Sequence, residues 1–202
     1  MPNAQVTEAM LEAWAVAPSN IVILDTLEIR HPSFVTPIRV VRNFEDLATW
    51  VRLDGPNVQP VLDAMDPEDR EMVGLVARLE DTAPANAGEY VPFIALAFDV
   101  VLPKVDSVPL PETTLTMDNV SREISDALEL ASQSQYQTEV TYRPYHSNNV
   151  AYPQMDPPLT MILSNVKGNT MRVTGRAHVM DIGNRSYPGE TYNVETFPGL
   201  AR

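Results

Sequence analysis

Cysteine is absent from the chain. That excludes disulfides, thiolate nucleophiles, iron–sulfur clusters and zinc sites of the cysteine type. Glycine is scarce, eight residues in 202. No phosphate-cradling loop, dinucleotide fingerprint or Gly-x-Ser-x-Gly elbow can be found among them. Cations are outnumbered, 14 Lys and Arg against 27 Asp and Glu, which leaves a net charge of −13. Binding to nucleic-acid phosphates requires clustered cations, so it is not expected. No apolar run approaches the ~20 residues that span a bilayer. The opening MPNAQVTEAM also lacks the basic and apolar regions of a signal peptide. The expected setting is the cytoplasm that makes the chain, with no membrane.

What remains is an ordinary globular composition, 44% hydrophobic and 20% charged, long enough for one sizeable core. Eighteen prolines favour turns and edge strands over long helices. Residues 4–16 read as a helix, capped by Thr7 and turning Met10, Ala13 and Trp14 to one side. Residues 20–29 and 36–43 read as antiparallel strands joined by the loop HPSFV. The stretch from Asp54 to Tyr90 holds nine acids and two bases. Within it, MDPEDREMVGLVARLED starts as helices do: Asp66 as cap, Pro67 at the first position, acids in the first turn. Continued as a helix, it gathers Met72, Leu75, Val76 and Leu79 on one apolar face. Its acids, Asp66, Glu68, Asp69 and Glu71, lack the twelve-residue calcium-loop pattern and would be splayed by helical spacing.

Strands follow over 89–103 and 112–120, the second turning Thr113, Leu115 and Met117 one way. Residues 121–132 read as a helix burying Ile124, Leu128 and Ala131. The strands 137–146, 157–166 and 169–181 finish the chain, with a hairpin turn expected at Asn165–Asn169. The fold class is α+β, mainly antiparallel, sandwich or barrel-like with a few short helices. One domain covers 1–202, with an acidic helical insertion at about 44–89.

Chemistry is hard to find. His31, His146 and His178 fall in different elements with no carboxylate at a recurring spacing, which favours structural or surface roles. A three-histidine metal site has no support from spacing. A glycosidase needs only two carboxylates, which any acidic chain offers. No catalytic, cofactor or metal residue is assigned, and no enzyme is expected.

Four blocks carry more. They are LEIRHPSFVTPIRVVRN, EYVPFIALAFDVVLP, TLTMDNVSREISDAL and the closing YPGETYNVETFPGL. Their signature residues are Glu28, His31, Pro32 and Pro37 to Val41, then Tyr90, Pro92 and Phe93. Leu115, Asp118, Asn119, Val120, Arg122 and Ile124 follow, with Phe197 to Leu200 at the end. In this order the blocks resemble an uncharacterised family encoded in the tail gene clusters of long-tailed bacteriophages. They are also similar to the N-terminal part of the phage lambda minor tail protein L. That protein adds a cysteine-rich, iron–sulfur-binding region, which a cysteine-free chain cannot share.

The resemblance implies a structural protein of the tail tip or baseplate, assembled in the host cytoplasm and carried in the virion. It implies a homo-oligomer of three-fold or six-fold symmetry. Its neighbours would be tail tube and distal tail proteins and a central hub or fibre protein. The alternatives are a distal tail adaptor protein and a carbohydrate-binding β-sandwich of the host-recognition apparatus. The second would want exposed aromatics, and only Trp14 and Trp50 exist as tryptophans. Two surfaces are candidate interfaces. One is the terminal turn set, whose Pro-Gly pairs fix Tyr187, Tyr192, Phe197, Pro198 and Leu200 in direction. The other is the helical face of Met72, Leu75, Val76 and Leu79.

Overall fold

The computed structural model describes residues 5, 6, 8, 12, 15, 21–42, 56–100, 112–118, 122–132, 134–168 and 172–179. Its strands are β1 (Gln5–Val6), β2 (Ile23–Arg30), β3 (Ile38–Arg42), β4 (Val73–Arg78), β5 (Tyr90–Val100) and β6 (Glu112–Asp118). They continue with β7 (Thr138–His146), β8 (Met155–Asp156), β9 (Leu159–Gly168) and β10 (Arg172–Val179). Among the described residues, the helices with defined bounds are α1 (Gln59–Asp63), α2 (Pro67–Glu71) and α3 (Arg122–Ser132).

Hydrogen bonding runs in the order β3-β2-β7-β9-β10-β6-β5, antiparallel at every step. A parallel pairing of β3 with β5, Val40 opposite Ile94, then joins the two ends. The sheet is thus a closed seven-stranded barrel, within an α+β fold dominated by antiparallel β-structure. Closure removes both sheet edges, which would otherwise display unpaired backbone groups.

Every barrel strand sends residues to one apolar cluster, which is therefore the barrel interior. Leu27, Val40, Phe98, Met117, Val140, Met161 and Val173 represent the seven strands. Alternation supplies this inward row, as it does for Thr113, Leu115 and Met117 of β6. Helix α3 adds Ile124 and Leu128 to the same cluster and also buries Ala131. The strand β10 carries Gly175 because the barrel leaves no room: a Cβ there would stand 2.7 Å from Leu163 Cδ1.

A second lobe lies on the outer face of β2, β3 and β7. Strand β4 pairs with the first half of β5. Val40 and Val73 both pair with Ile94, so β3 and β4 flank opposite edges of β5. Leu75, Ala77, Leu79, Val91 and Phe93 then cover Leu24, Val41 and Tyr145 from outside the barrel. A small third cluster, Val58, Leu62, Val73 and Val76, ties α1 to the far side of β4.

Three expectations are corrected. The helix expected over 4–16 is preceded by strand: Gln5–Val6 pairs antiparallel with Met155–Asp156, and Glu8, Glu12 and Ala15 are helical. The helix started by Asp66 and Pro67 stops at Glu71, and Val73–Arg78 is a strand. The reason is two-sided burial. A bulge between Val73 and Leu75 sends Leu75 to one core while Val73 and Val76 face the other. The acidic segment therefore contributes core, while α2, much of α1 and the turn around residues 81–89 remain exposed. Finally, β9 continues to Gly168, and Asn165, at φ 52°, lies in a bulge opposite Gly175 instead of in the turn.

Candidate functional site

The block Glu28–Val41 forms the β2–β3 hairpin, and its tip meets the loop between α3 and β7. At this junction His31 is buried, and both ring nitrogens are occupied. Nδ1 accepts the backbone N–H of Ser33 at 3.1 Å and lies 2.6 Å from the Ser33 hydroxyl. Nε2 lies 2.7 Å from Ser134 Oγ. Because Nδ1 accepts, the neutral ring carries its proton on Nε2 and donates to Ser134. Ser134 Oγ also accepts the Tyr136 N–H at 3.0 Å, and its own proton points to the Tyr136 carbonyl. The pair looks like a nucleophile and base, but its protons run the opposite way. His31 clamps two loops.

Phe34 and Tyr136 pack their rings against His31 at 5.5 and 6.4 Å. Directly opposite one another on β2 and β7, Arg30 and Glu139 form an ion pair beneath. Between them lies a groove of about 330 Å³, walled by Arg30, His31, Pro32, Phe34, Pro37, Gln137 and Glu139. Its rim is apolar and open. Val35 at the hairpin tip is 100% exposed and Tyr136 is 68% exposed.

Below the tip, on the outer barrel face, four charges are sealed under the second lobe. Glu28 Oε2 accepts Arg39 Nε at 2.7 Å, and Glu28 Oε1 stands 3.5 Å from Arg143. Arg143 donates Nε and Nη2 to both oxygens of Glu80, at 2.7 and 2.8 Å. Arg39 reaches on to Asn86 Oδ1 at 2.9 Å. Two carboxylates and two guanidiniums cancel, so the buried set is neutral as a whole. Burial alone would lower the Arg143 pKa. The Glu80 hydrogen bond and the Glu28 and Glu80 charges more than offset this, and the guanidinium is held charged.

The other end of the barrel is wired differently. Tyr142 donates its hydroxyl to Asp25 at 2.6 Å, and Arg42 lies 3.7 Å from both Asp25 and Asp99. Burial, then the Asp25 charge, raises the Tyr142 pKa and keeps the phenol protonated. His146 is buried there, its Nε2 has no hydrogen-bond partner among the described residues, and burial lowers its pKa.

The three histidines are not brought together. His31 and His146 lie towards opposite ends of the β2–β7 pair, and His178 is half-buried on β10. Among the described residues no three His, Asp or Glu side chains gather closely enough to hold a metal. Of the interface candidates, Leu75, Val76 and Leu79 are buried in this chain's own core, while Met72 is 42% exposed. Tyr187, Tyr192, Phe197, Pro198 and Leu200 lie outside the described residues.

A family model described as a domain of unknown function, DUF1833, matches residues 9–192. The chain belongs to that family. No curated protein and no solved structure matches it. The DUF1833 match takes in the hairpin, its groove and the buried charges, and stops short of the closing Phe197–Leu200 block. Sequence reasoning passed over the charge set of this DUF1833 chain. Glu28, Arg39 and Arg143 are charged residues within strands, but no spacing in the sequence connects them with one another or with Glu80.

Proposed function

We propose that this protein is a structural component of a bacteriophage tail tip or baseplate, assembling with copies of itself and with neighbouring tail proteins. The observation that carries the reading is the hairpin tip. Within Glu28–Val41, part of the first block of the resemblance, Glu28, Arg39 and His31 are buried in a charge set and a histidine clamp, while Val35 at the tip is wholly exposed. An apolar rim over an open groove is surface organised for docking, since aromatic and aliphatic anchors dominate interface cores. The proton direction in the His31–Ser134 pair supports a positioning role for that histidine over general-base chemistry.

The test is deletion of the gene in the phage or prophage that carries it. Purified particles are then examined by electron microscopy and their proteins identified by mass spectrometry. The expected result is wild-type virions that contain the protein and deletion mutants without complete tail tips. Complete, infective tails in the deletion mutant, with no trace of the protein in wild-type virions, overturn the reading. Val35→Asp sharpens the test: the monomer folds with an unchanged melting temperature and is missing from tails.

A further inference from the structure

The charges of this chain are unevenly distributed. Residues 157–180 contain Lys167, Arg172 and Arg176 and no acid at all, in a chain whose net charge is −13. They build the β9–β10 hairpin, on which Asn165, Lys167, Arg172 and Arg176 are all exposed. Between β6, β9 and β10 the outer face holds an open concavity of about 600 Å³, walled by Thr114, Asn165, Lys167, Thr174, Gly175 and Arg176. The bulge at Asn165 opposite Gly175 accounts for the hollow, because it bends the strand away from a flat surface. Arg172 is paired with Asp118 and Arg176 stands 3.8 Å from Glu112, both carboxylates being on β6. Even with those two acids included the face remains positive, and Lys167 makes no ion pair among the described residues.

The complement is on the same molecule. Residues 63–71 carry Asp63, Asp66, Glu68, Asp69 and Glu71 against the single Arg70. All six are exposed on α1, α2 and their junction, and the half-exposed Met72 follows at the end of α2. Only the Arg70–Asp63 contact, at 3.7 Å, pairs any of these charges among the described residues. No ion pair or hydrogen bond among the described residues joins the acidic helices to the β9–β10 face.

We infer that the outer face of β9 and β10 receives the acidic α1–α2 segment of a second copy of this chain. Two different surfaces meeting in this way make a head-to-tail interface, which repeats and closes into a ring when the rotation allows. Lys167 and Arg176 would face Glu68, Asp69 and Glu71, with Met72 at the hollow. Such pairing lets copies of a strongly acidic chain associate despite their net repulsion. The inference deepens the proposed assembly role and rests on that reading only for its biological setting.

Sedimentation of the full chain tests it at roughly 0.01 M and about 1 M salt, where the screening length falls from ~30 to ~3 Å. The expected result is association at low salt and monomer at high salt. The charge-reversed variants Lys167→Glu/Arg176→Glu and Glu68→Lys/Asp69→Lys/Glu71→Lys are each monomeric at low salt. Mixed in equal amounts they associate again, because both junctions of the repeat are then complementary. Lys167→Gln/Arg176→Gln serves in place of the first variant if reversal prevents folding; it weakens association, and mixing it with the helix variant yields a dimer through the one remaining native junction and no longer assembly. Wild type that stays monomeric at low salt overturns the inference, as do variants that associate like wild type or a mixture that stays monomeric. If that occurs while the protein is found in virions, the tail reading stands and only the self-docking falls.

Discussion

The two faces of the β2–β3–β7 sheet are packed by opposite means. The inner face is mainly apolar, continuous with the four other strands of the same barrel. The outer face is covered by a lobe that arrives through β4 and the 79–89 loop, and it is pinned by Glu28, Arg39, Arg143 and Glu80. Apolar packing is tolerant of exchange, whereas buried charges accept one arrangement of partners and reject the rest. The barrel supplies stability that many sequences could provide. The charge set fixes where the lobe sits.

The comparison is broken most severely at Arg143. Arg143→Met leaves Glu28 and Glu80 buried without their shared cation and costs about 4 kcal/mol. The melting temperature should fall by roughly 8–16 °C for a chain of this size. Replacing Glu28, Arg39, Glu80 and Arg143 together with Leu and Met should recover most of that loss, since a well-packed apolar set can substitute for buried ions. A quadruple variant no better than Arg143→Met alone would mean the charges do more than fix geometry.

Inside the barrel, Leu27→Ala should cost about 3 kcal/mol in urea unfolding, through lost burial and a residual cavity. A smaller loss than that of Tyr145→Phe would reverse the roles assigned to the two faces. Tyr145 donates to the Arg78 carbonyl at 2.9 Å, tying β7 to β4 under the lobe. Its phenylalanine variant gives up one hydrogen bond and should lose about 1 kcal/mol.

The smallest effect is one of pH. The folded-state pKa of His146 is lowered by burial, so the unfolded chain binds the proton more readily. Its contribution is intact above the ordinary imidazole value of about 6.5 and is lost as the pH falls through the depressed one. Urea midpoints measured between pH 7.5 and 5 should decline less in His146→Phe than in wild type. Parallel declines would remove His146 as a cause.

The strands β5 and β6 were legible from alternation and the helix α3 from helical spacing. The strands β2, β3 and β7 are buried on both faces and were legible as short runs bounded by turn residues. The strand β4 was not legible. Val73 to Ala77 is buried on both faces, which erases alternation, and the genuine helix start at Asp66–Pro67 biases the reading onward. Nor could the tip be assembled from sequence. His31 and Ser134 are 103 residues apart, and only the β2–β7 pairing carries one to the other.

That pairing also sets a timetable. β2 is made early but finds its partner in β7, and the ring β3-β2-β7-β9-β10-β6-β5 is completed only by β10. During synthesis, Leu27, Ile29 and Val40 therefore wait without an interior to enter while more than a hundred residues are added. Long-range closure of this kind is slow in refolding as well, because the loop entropy must be spent before the contacts return it. Until β7 to β10 are made, the barrel-facing residues of β2, β3 and β5 lack their remaining walls, and exposed apolar surface at that stage is the expected source of aggregation in refolding.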